Sequence, residues 1–246
     1  MWEIENISTK KRHLDFSSSG QGTFVGTAVY SNDQLLFNQI ESIENHGEDE
    51  QVFQAIICEH CGYSHCEPGN WIALRKAGKC YLFLPAFEWI IEEEDFLKLE
   101  YLPPNYISTN GAVVFTGEHF EQLQKLISPF KEIRAVKSLT GTEASLLYRY
   151  DTPQRLFGDL PRIESLKRDR ILISSDGELE EQLELLEKEL QLLENSDSVE
   201  LEKLNPKDKT LRFFLDDTTS TEWKAAVVNE NGEFQLQMNA WKVKRC

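Results

Sequence analysis

Methionine is scarce, with two residues in 246, and glycine and proline are held to 13 and 8. That excludes collagen-like and low-complexity chains. Basic residues are also short: 26 Lys and Arg face 42 Asp and Glu, a formal net charge of −16. Such a charge repels phosphate backbones and anionic membranes, so nucleic acid is a disfavoured partner and a basic protein a favoured one. Long apolar runs are missing. The most apolar segment, Tyr81 to Ile91, is broken by Pro85 and Glu88. It falls well short of the roughly 20 residues a membrane helix needs. The opening Met1-Trp2-Glu3-Ile4-Glu5 has no basic stretch followed by an apolar run, so no secretory signal is read. These absences predict a soluble, cytoplasmic protein with no membrane partner.

Catalytic signatures are missing as well. There is no Gly-x-Ser-x-Gly elbow, no His-Glu-x-x-His, no phosphate loop and no EF-hand spacing. Gly20, Gly22 and Gly26 precede a predicted strand, but the third glycine comes one residue too late for a dinucleotide loop. They read as a turn. His119 at a predicted helix start and His13 beside Lys10-Lys11-Arg12 read as surface residues. No general base or nucleophile is identified, so the expectation leans away from an enzyme.

What is present is a large aromatic inventory: 14 Phe, 7 Tyr and 5 Trp, within a 40% hydrophobic composition. A chain so equipped can bury a core, which excludes disorder throughout. The pattern predicts an α+β fold with a β-rich N-terminal portion, a mixed centre, a long helix and a C-terminal hairpin sheet. Thr23–Tyr30 and Gln34–Ile40 read as strands joined by Ser31-Asn32-Asp33, and Val52–Ile57 as another. The acidic segment Glu41–Glu50 between them reads as a solvated loop. Trp71–Arg75 and Cys80–Leu84 flank Lys76-Ala77-Gly78-Lys79, a hairpin with glycine where positive φ is needed. Ala112–Phe115 reads as a buried strand, followed by a helix from Thr116 or Gly117 with Phe120, Leu123, Leu126 and Ile127 on one face and Pro129 at its end. Ile133–Leu139 is a predicted strand and Glu143–Tyr150 a predicted helix. Pro103-Pro104 and Ser108–Gly111 punctuate the chain, so the two portions are cut as 1–110 and 111–246, with single-domain packing as the alternative.

Residues 149–170 carry six basic and four acidic side chains and read as a connecting segment. The helix over 176–195 opens with a capping box, Ser175-x-x-Glu178, and continues with Leu179, Leu183, Leu186, Leu190 and Leu193. Their spacings of 4, 3, 4 and 3 make a heptad seam, which Leu185 and Leu192 widen. Residues 178–203 hold ten acids and two lysines, half of the net charge. The seam suits packing on its own domain, with dimerisation or docking in a partner's groove as the alternative. Beyond Asn205-Pro206, Leu211–Leu215 is a strand, Trp223–Val228 pairs with Glu233–Met238 across Asn231-Gly232, and Trp241–Lys244 extends the second of these.

The chemical lead is Cys58-Glu59-His60-Cys61-Gly62-Tyr63-Ser64-His65-Cys66, followed by Cys80. Two thiolates three residues apart can grip one tetrahedral cation if the chain turns tightly, and Gly62 lets it bend. A strand, Cys-x-x-Cys-Gly and then a hairpin resemble half of a zinc-ribbon knuckle over about 30 residues. No second Cys-x-x-Cys follows. The predicted ligand set for a structural zinc is Cys58, Cys61, Cys66 and Cys80, with His65 or His60 as the alternative ligand. Cys80 is included because the hairpin is expected to return it towards the cluster. Two other readings stand. The thiols are unliganded core residues, or Cys58–Cys66 is the centre of a thiol-redox or metal-dependent enzyme. A Cys-x-x-Cys after an apolar strand looks like a thioredoxin motif, but Gly62, Pro68 and Gly69 argue against the helix that lowers a thiol pKa there. The sequence therefore predicts a non-enzymatic acidic binding or regulatory protein with a zinc-type knuckle.

Overall fold

The computed structural model describes residues 1–20, 22–38, 51–62, 66–92, 100–127, 130–131, 133–149, 171–173, 179–204, 210–215, 223–230, 233–238 and 241–246. Within them the fold is α+β, with three sheets and five α-helices. No helix among the described residues is long and apolar enough to cross a membrane. Two compact units emerge: residues 2–76 and 80–137 form one, and 138–246 with Met1 and 77–79 form the other.

The first unit holds β1 (Trp2–Glu3), β2 (Ser8–Asp15), β3 (Thr23–Ser31), β4 (Gln34–Phe37), β5 (Val52–Gln54), β6 (Trp71–Ala77), β7 (Cys80–Leu84) and β8 (Val113–Thr116). Its helices are α1 (Phe87–Glu92), α2 (Asn105–Asn110) and α3 (Gly117–Leu126). Five strands form a sheet in the order β1-β8-β7-β6-β5, and β2-β3-β4 form a second. The β3–β4 hairpin closes because Asn32 and Asp33 take φ of 45° and 64°, conformations these two residue types tolerate. Gly78, at φ 64°, turns β6 into β7.

Aromatic rings fill this unit. Phe37 lies 5.4 Å from Phe83 and 5.7 Å from Phe130, edge to face. Phe83 meets Phe115 at 4.5 Å, and Tyr81 stacks on Phe120 at 4.1 Å. Phe120 and Leu123 carry α3 onto this core, and Thr116 Oγ1 caps the helix by accepting from the His119 amide. Leu126 departs from the expected apolar face and is 38% exposed, whereas Ile127, just past the helix, is buried. Pro129 lies outside the described residues. The expected strand over 133–139 is not formed: its described residues make a single bridge at Ser138 and are otherwise irregular. Gln51 holds them instead. The Gln51 side chain donates to the Ala135 carbonyl and accepts from the Lys137 amide at 2.8 Å, and the Lys137 carbonyl accepts from the Lys76 amide at 2.8 Å.

Residues 103–111 build α2 in this same unit. Pro104 precedes its first turn, Gly111 at φ 85° ends it, and Tyr106 between them is buried. The Tyr106 hydroxyl donates to the Leu36 carbonyl, and burial raises its pKa.

The second unit contains α4 (Gly141–Arg149), β9 (Ile171–Ile173), α5 (Leu179–Glu194), β10 (Val199–Lys203), β11 (Thr210–Leu215), β12 (Trp223–Glu230), β13 (Glu233–Met238) and β14 (Trp241–Arg245). Its sheet runs β10-β14-β13-β12-β11-β9. The β12–β13 hairpin forms in the expected register, with Glu230 opposite Glu233. Trp241–Lys244 does not extend β13. It belongs to β14, which returns antiparallel so that Trp241 faces Met238 and also pairs along β10. Thr140 and Glu143 cap α4 reciprocally, the carboxylate accepting from the Thr140 amide at 3.0 Å and the Thr140 hydroxyl from the Glu143 amide. A Cβ on Gly141 would fall 1.7 Å from the Leu193 carbonyl oxygen, so only glycine lets α4 start against the end of α5. The acidic helix packs on α4 and β13 of its own unit. Leu190 and Leu193 of the seam are buried there, but Leu192 is 41% exposed and does not widen the buried face. The capping box Ser175–Glu178, residues 41–50, residues 150–170, Pro206 and Asn231-Gly232 lie outside the described residues.

Leu190→Ala is expected to destabilise the protein by about 2–5 kcal/mol, because it empties a fully buried site. Leu192→Ala, on the exposed side of the same turn, should change stability by less than about 0.5 kcal/mol. Urea denaturation followed by circular dichroism separates the two.

Candidate metal centre

The cysteine segment follows β5, which is shorter than the sequence predicts: the ladder ends at Gln54, and Ala55 and Ile56 bend. Among the described residues no strand lies beside Ile57, next before Cys58, to satisfy its peptide groups. The side chain of Asn38 takes that place. Its carboxamide oxygen accepts from the Ile57 amide at 3.0 Å, and its nitrogen donates to the Ile57 carbonyl at 2.7 Å. Asn38 is fully buried. On the far side, Gln54 donates to the carbonyls of Glu67 at 3.1 Å and Gly69 at 2.8 Å. Two buried carboxamides thus hold the two ends of the segment 58–69.

Between them the chain turns. The Gly62 amide donates to the Cys58 carbonyl at 2.9 Å, closing a turn around the Cys-x-x-Cys pair. Gly62 has φ 72°, and a Cβ there would lie 2.7 Å from the ring of Phe16. Glycine is needed twice over, for the backbone and for the ring that covers it. Phe16 is 2% exposed and contacts Phe24 at 5.6 Å. Two polar contacts join the turn to β2 and the residues after it. Arg12 forks onto both carboxylate oxygens of Glu59, and Ser18 Oγ lies 3.4 Å from His60 Nε2.

This framework brings together Cys58, Cys61 and Cys66, whose sulfurs all lie within 4.8 Å of one another. Cys58 and Cys61 are buried and Cys66 is exposed. Three thiols at such spacing can hold a metal ion, and the donor set suits a thiophilic cation. It is the one group of at least three close ligating side chains among the described residues. All five cysteines are in the thiol state. In that state hydrogen bonding with Cys61, and next with Cys58, pushes the Cys66 pKa up to about 12. A dication bound there reverses this, since a coordinating thiol is deprotonated.

The other expected ligands fall differently. Cys80 is not in the group. It opens β7 opposite Thr116, on the turn side of the β6–β7 hairpin. β6 begins two residues after Gly69 and carries the chain seven residues away before Gly78 turns it, a path of about 20 Å at a strand's rise per residue. The hairpin brings Leu84, not Cys80, back towards its start. His60 is exposed and placed by Ser18, outside the three-sulfur group. His65 lies outside the described residues. The residues that the sequence left unnoticed are Asn38, Gln54 and Phe16. The polar pair stands apart in sequence from what it holds, and no spacing rule points to it.

No protein-family model, curated protein or solved structure matches this chain.

Asn38→Ala strands a buried amide and a buried carbonyl at Ile57 and is expected to cost about 2–6 kcal/mol in urea denaturation, at about 1–3 kcal/mol for each unsatisfied group. A second prediction concerns proton occupancy. With its pKa pushed up to about 12, Cys66 in the metal-free reduced protein is protonated at neutral and mildly alkaline pH. At pH 8 iodoacetamide should therefore modify Cys246, the other exposed thiol, faster than Cys66, as read by peptide mass spectrometry.

Proposed function

We propose that this chain is a non-enzymatic binding or regulatory protein whose residues 58–66 form a knuckle around one structural zinc ion. The observation that carries the reading is the close set of Cys58, Cys61 and Cys66 sulfurs, supported by the Gly62 turn that holds the pair. Zinc suits thiolate ligands in tetrahedral geometry, and a closed four-ligand site stabilises a fold without chemistry at the metal. We assign the fourth ligand to His65, one residue from Cys66 and a nitrogen donor of the kind that completes Cys3His sites. The knuckle then ties β5 to the start of β6.

The partner we assign is a basic protein. The net charge of −16 favours such a partner by long-range attraction and disfavours nucleic acid. Reduced thiols in this pattern belong in a reducing compartment, so the cytoplasm is the assigned location.

Elemental analysis of protein purified without a metal-affinity tag or chelator tests this directly. About one zinc per chain is expected. Cys58→Ser, Cys61→Ser and Cys66→Ser should each lower zinc affinity tenfold or more, and His65→Ala likewise, whereas Cys80→Ser should retain full zinc. Zinc absent from wild-type protein, or lost in Cys80→Ser but kept in Cys66→Ser, overturns the assignment.

A further inference from the structure

We infer that Cys66 is a peroxide-modification site, at which oxidation closes a disulfide to one of the two buried cysteines and releases the metal. The inference rests on the zinc reading above and adds how that site is opened. Two observations carry it. Cys66 is exposed while Cys58 and Cys61 are buried, so a small oxidant dissolved in water reaches one sulfur of the three. Both other sulfurs lie within 4.8 Å of it, so a second thiol is at hand wherever Cys66 is oxidised.

The chemistry balances with peroxide as the two-electron oxidant. A metal-bound sulfur is already a thiolate, which is the nucleophilic form. The Cys66 thiolate attacks one oxygen of hydrogen peroxide, the O–O bond breaks, and hydroxide leaves and takes a proton to become water. Cys66 is then a sulfenic acid. The thiolate of Cys58 or Cys61 attacks that sulfur, the S–S bond forms, the S–O bond breaks, and the second hydroxide is protonated to water. Two thiolates, one peroxide and two protons give one disulfide and two waters. The cation keeps at most one thiolate and the fourth ligand, too few for a structural site. Cys246, exposed and outside the cluster, is removed by substitution in the test so that its thiol takes no part in the disulfide.

The experiment uses the full-length chain carrying Cys246→Ser, loaded with zinc and freed of excess metal. Hydrogen peroxide is added, zinc release is followed with a chromogenic indicator, and disulfides are mapped by non-reducing peptide mass spectrometry. Release of about one zinc per chain is expected, in step with a disulfide that joins Cys66 to Cys58 or Cys61. A dithiol reductant with added zinc should then restore full occupancy. Zinc retained under peroxide overturns the inference and leaves the zinc assignment intact. So does zinc released while Cys58 and Cys61 join each other and Cys66 remains a thiol, or while Cys66 passes to the sulfonic acid without a disulfide. A chain that carries no zinc before peroxide is added overturns both, and the loading step shows it.

Discussion

The carboxamide of Asn38 does for Ile57 what a neighbouring strand does elsewhere in a sheet. It accepts from the Ile57 amide and donates to the Ile57 carbonyl, as a paired strand would. The β5 ladder stops at Gln54, so without Asn38 the chain would reach Cys58 with two buried peptide groups unsatisfied. A buried donor or acceptor without a partner costs more than a normal hydrogen bond gains. The path of the backbone into the cysteine turn is therefore fixed before the cysteines themselves contribute. Gln54 does the same for the way out, at the carbonyls of Glu67 and Gly69. The segment between these two clamps is short enough that its turn at Gly62 decides where the sulfurs go.

That turn explains why one residue type is tolerated there. A positive φ alone costs a non-glycine residue about 1–2 kcal/mol. The ring of Phe16 standing where a Cβ would be removes any compromise in space. Phe16 in turn is seated because the chain after β2 makes a 3-10 turn at Ser17–Ser19 and Gly20, with its amide bonded to the Gly22 carbonyl at 2.7 Å. The glycines at 20 and 22 thus serve the packing of the knuckle through Phe16. The Arg12–Glu59 fork lies more than a third exposed on both side chains, so solvent screens it, and it orients more than it stabilises.

How far the sequence disclosed this differs by element for physical reasons. Hairpins marked by local turn chemistry are legible, because Asn32-Asp33 and Gly78 carry their conformational signal within two residues. α3 and the Leu190–Leu193 end of α5 are legible because a one-sided apolar pattern is forced by the core they meet. β2 is not. Its sequence, Ser8–Asp15, is nearly all polar, and only Leu14 is buried, so no alternation marks it. Residues 133–139 mislead in the opposite direction. Their composition resembles a strand, but they form no ladder: the Gln51 side chain bonds Ala135 and Lys137, and backbone bonds reach Lys137 from Lys76 and Leu139 from Val199. The Cys-x-x-Cys-Gly motif shows the turn. The clamps Asn38 and Gln54 are long-range contacts that leave no mark on the local pattern.

Cys80 shows where local reading misleads about a site. A hairpin does bring its second strand back beside its first, and the reading rests on that. The return, however, is measured from the turn. Residues next to Gly78 are the farthest along the ladder from Gly69, and Cys80 is two residues from Gly78. A ligand meant to close a knuckle at the base of β6 would have to sit towards the Leu84 end of β7, away from the turn. Cys80 is buried beside β8 for the reason a small apolar side chain is buried anywhere in a sheet, and free thiols pack as such. The four cysteines within 23 residues exceed the three whose sulfurs lie together for this reason. What separates Cys80 from the three clustered cysteines is the side of the hairpin it occupies, which follows from counting strand residues from the turn.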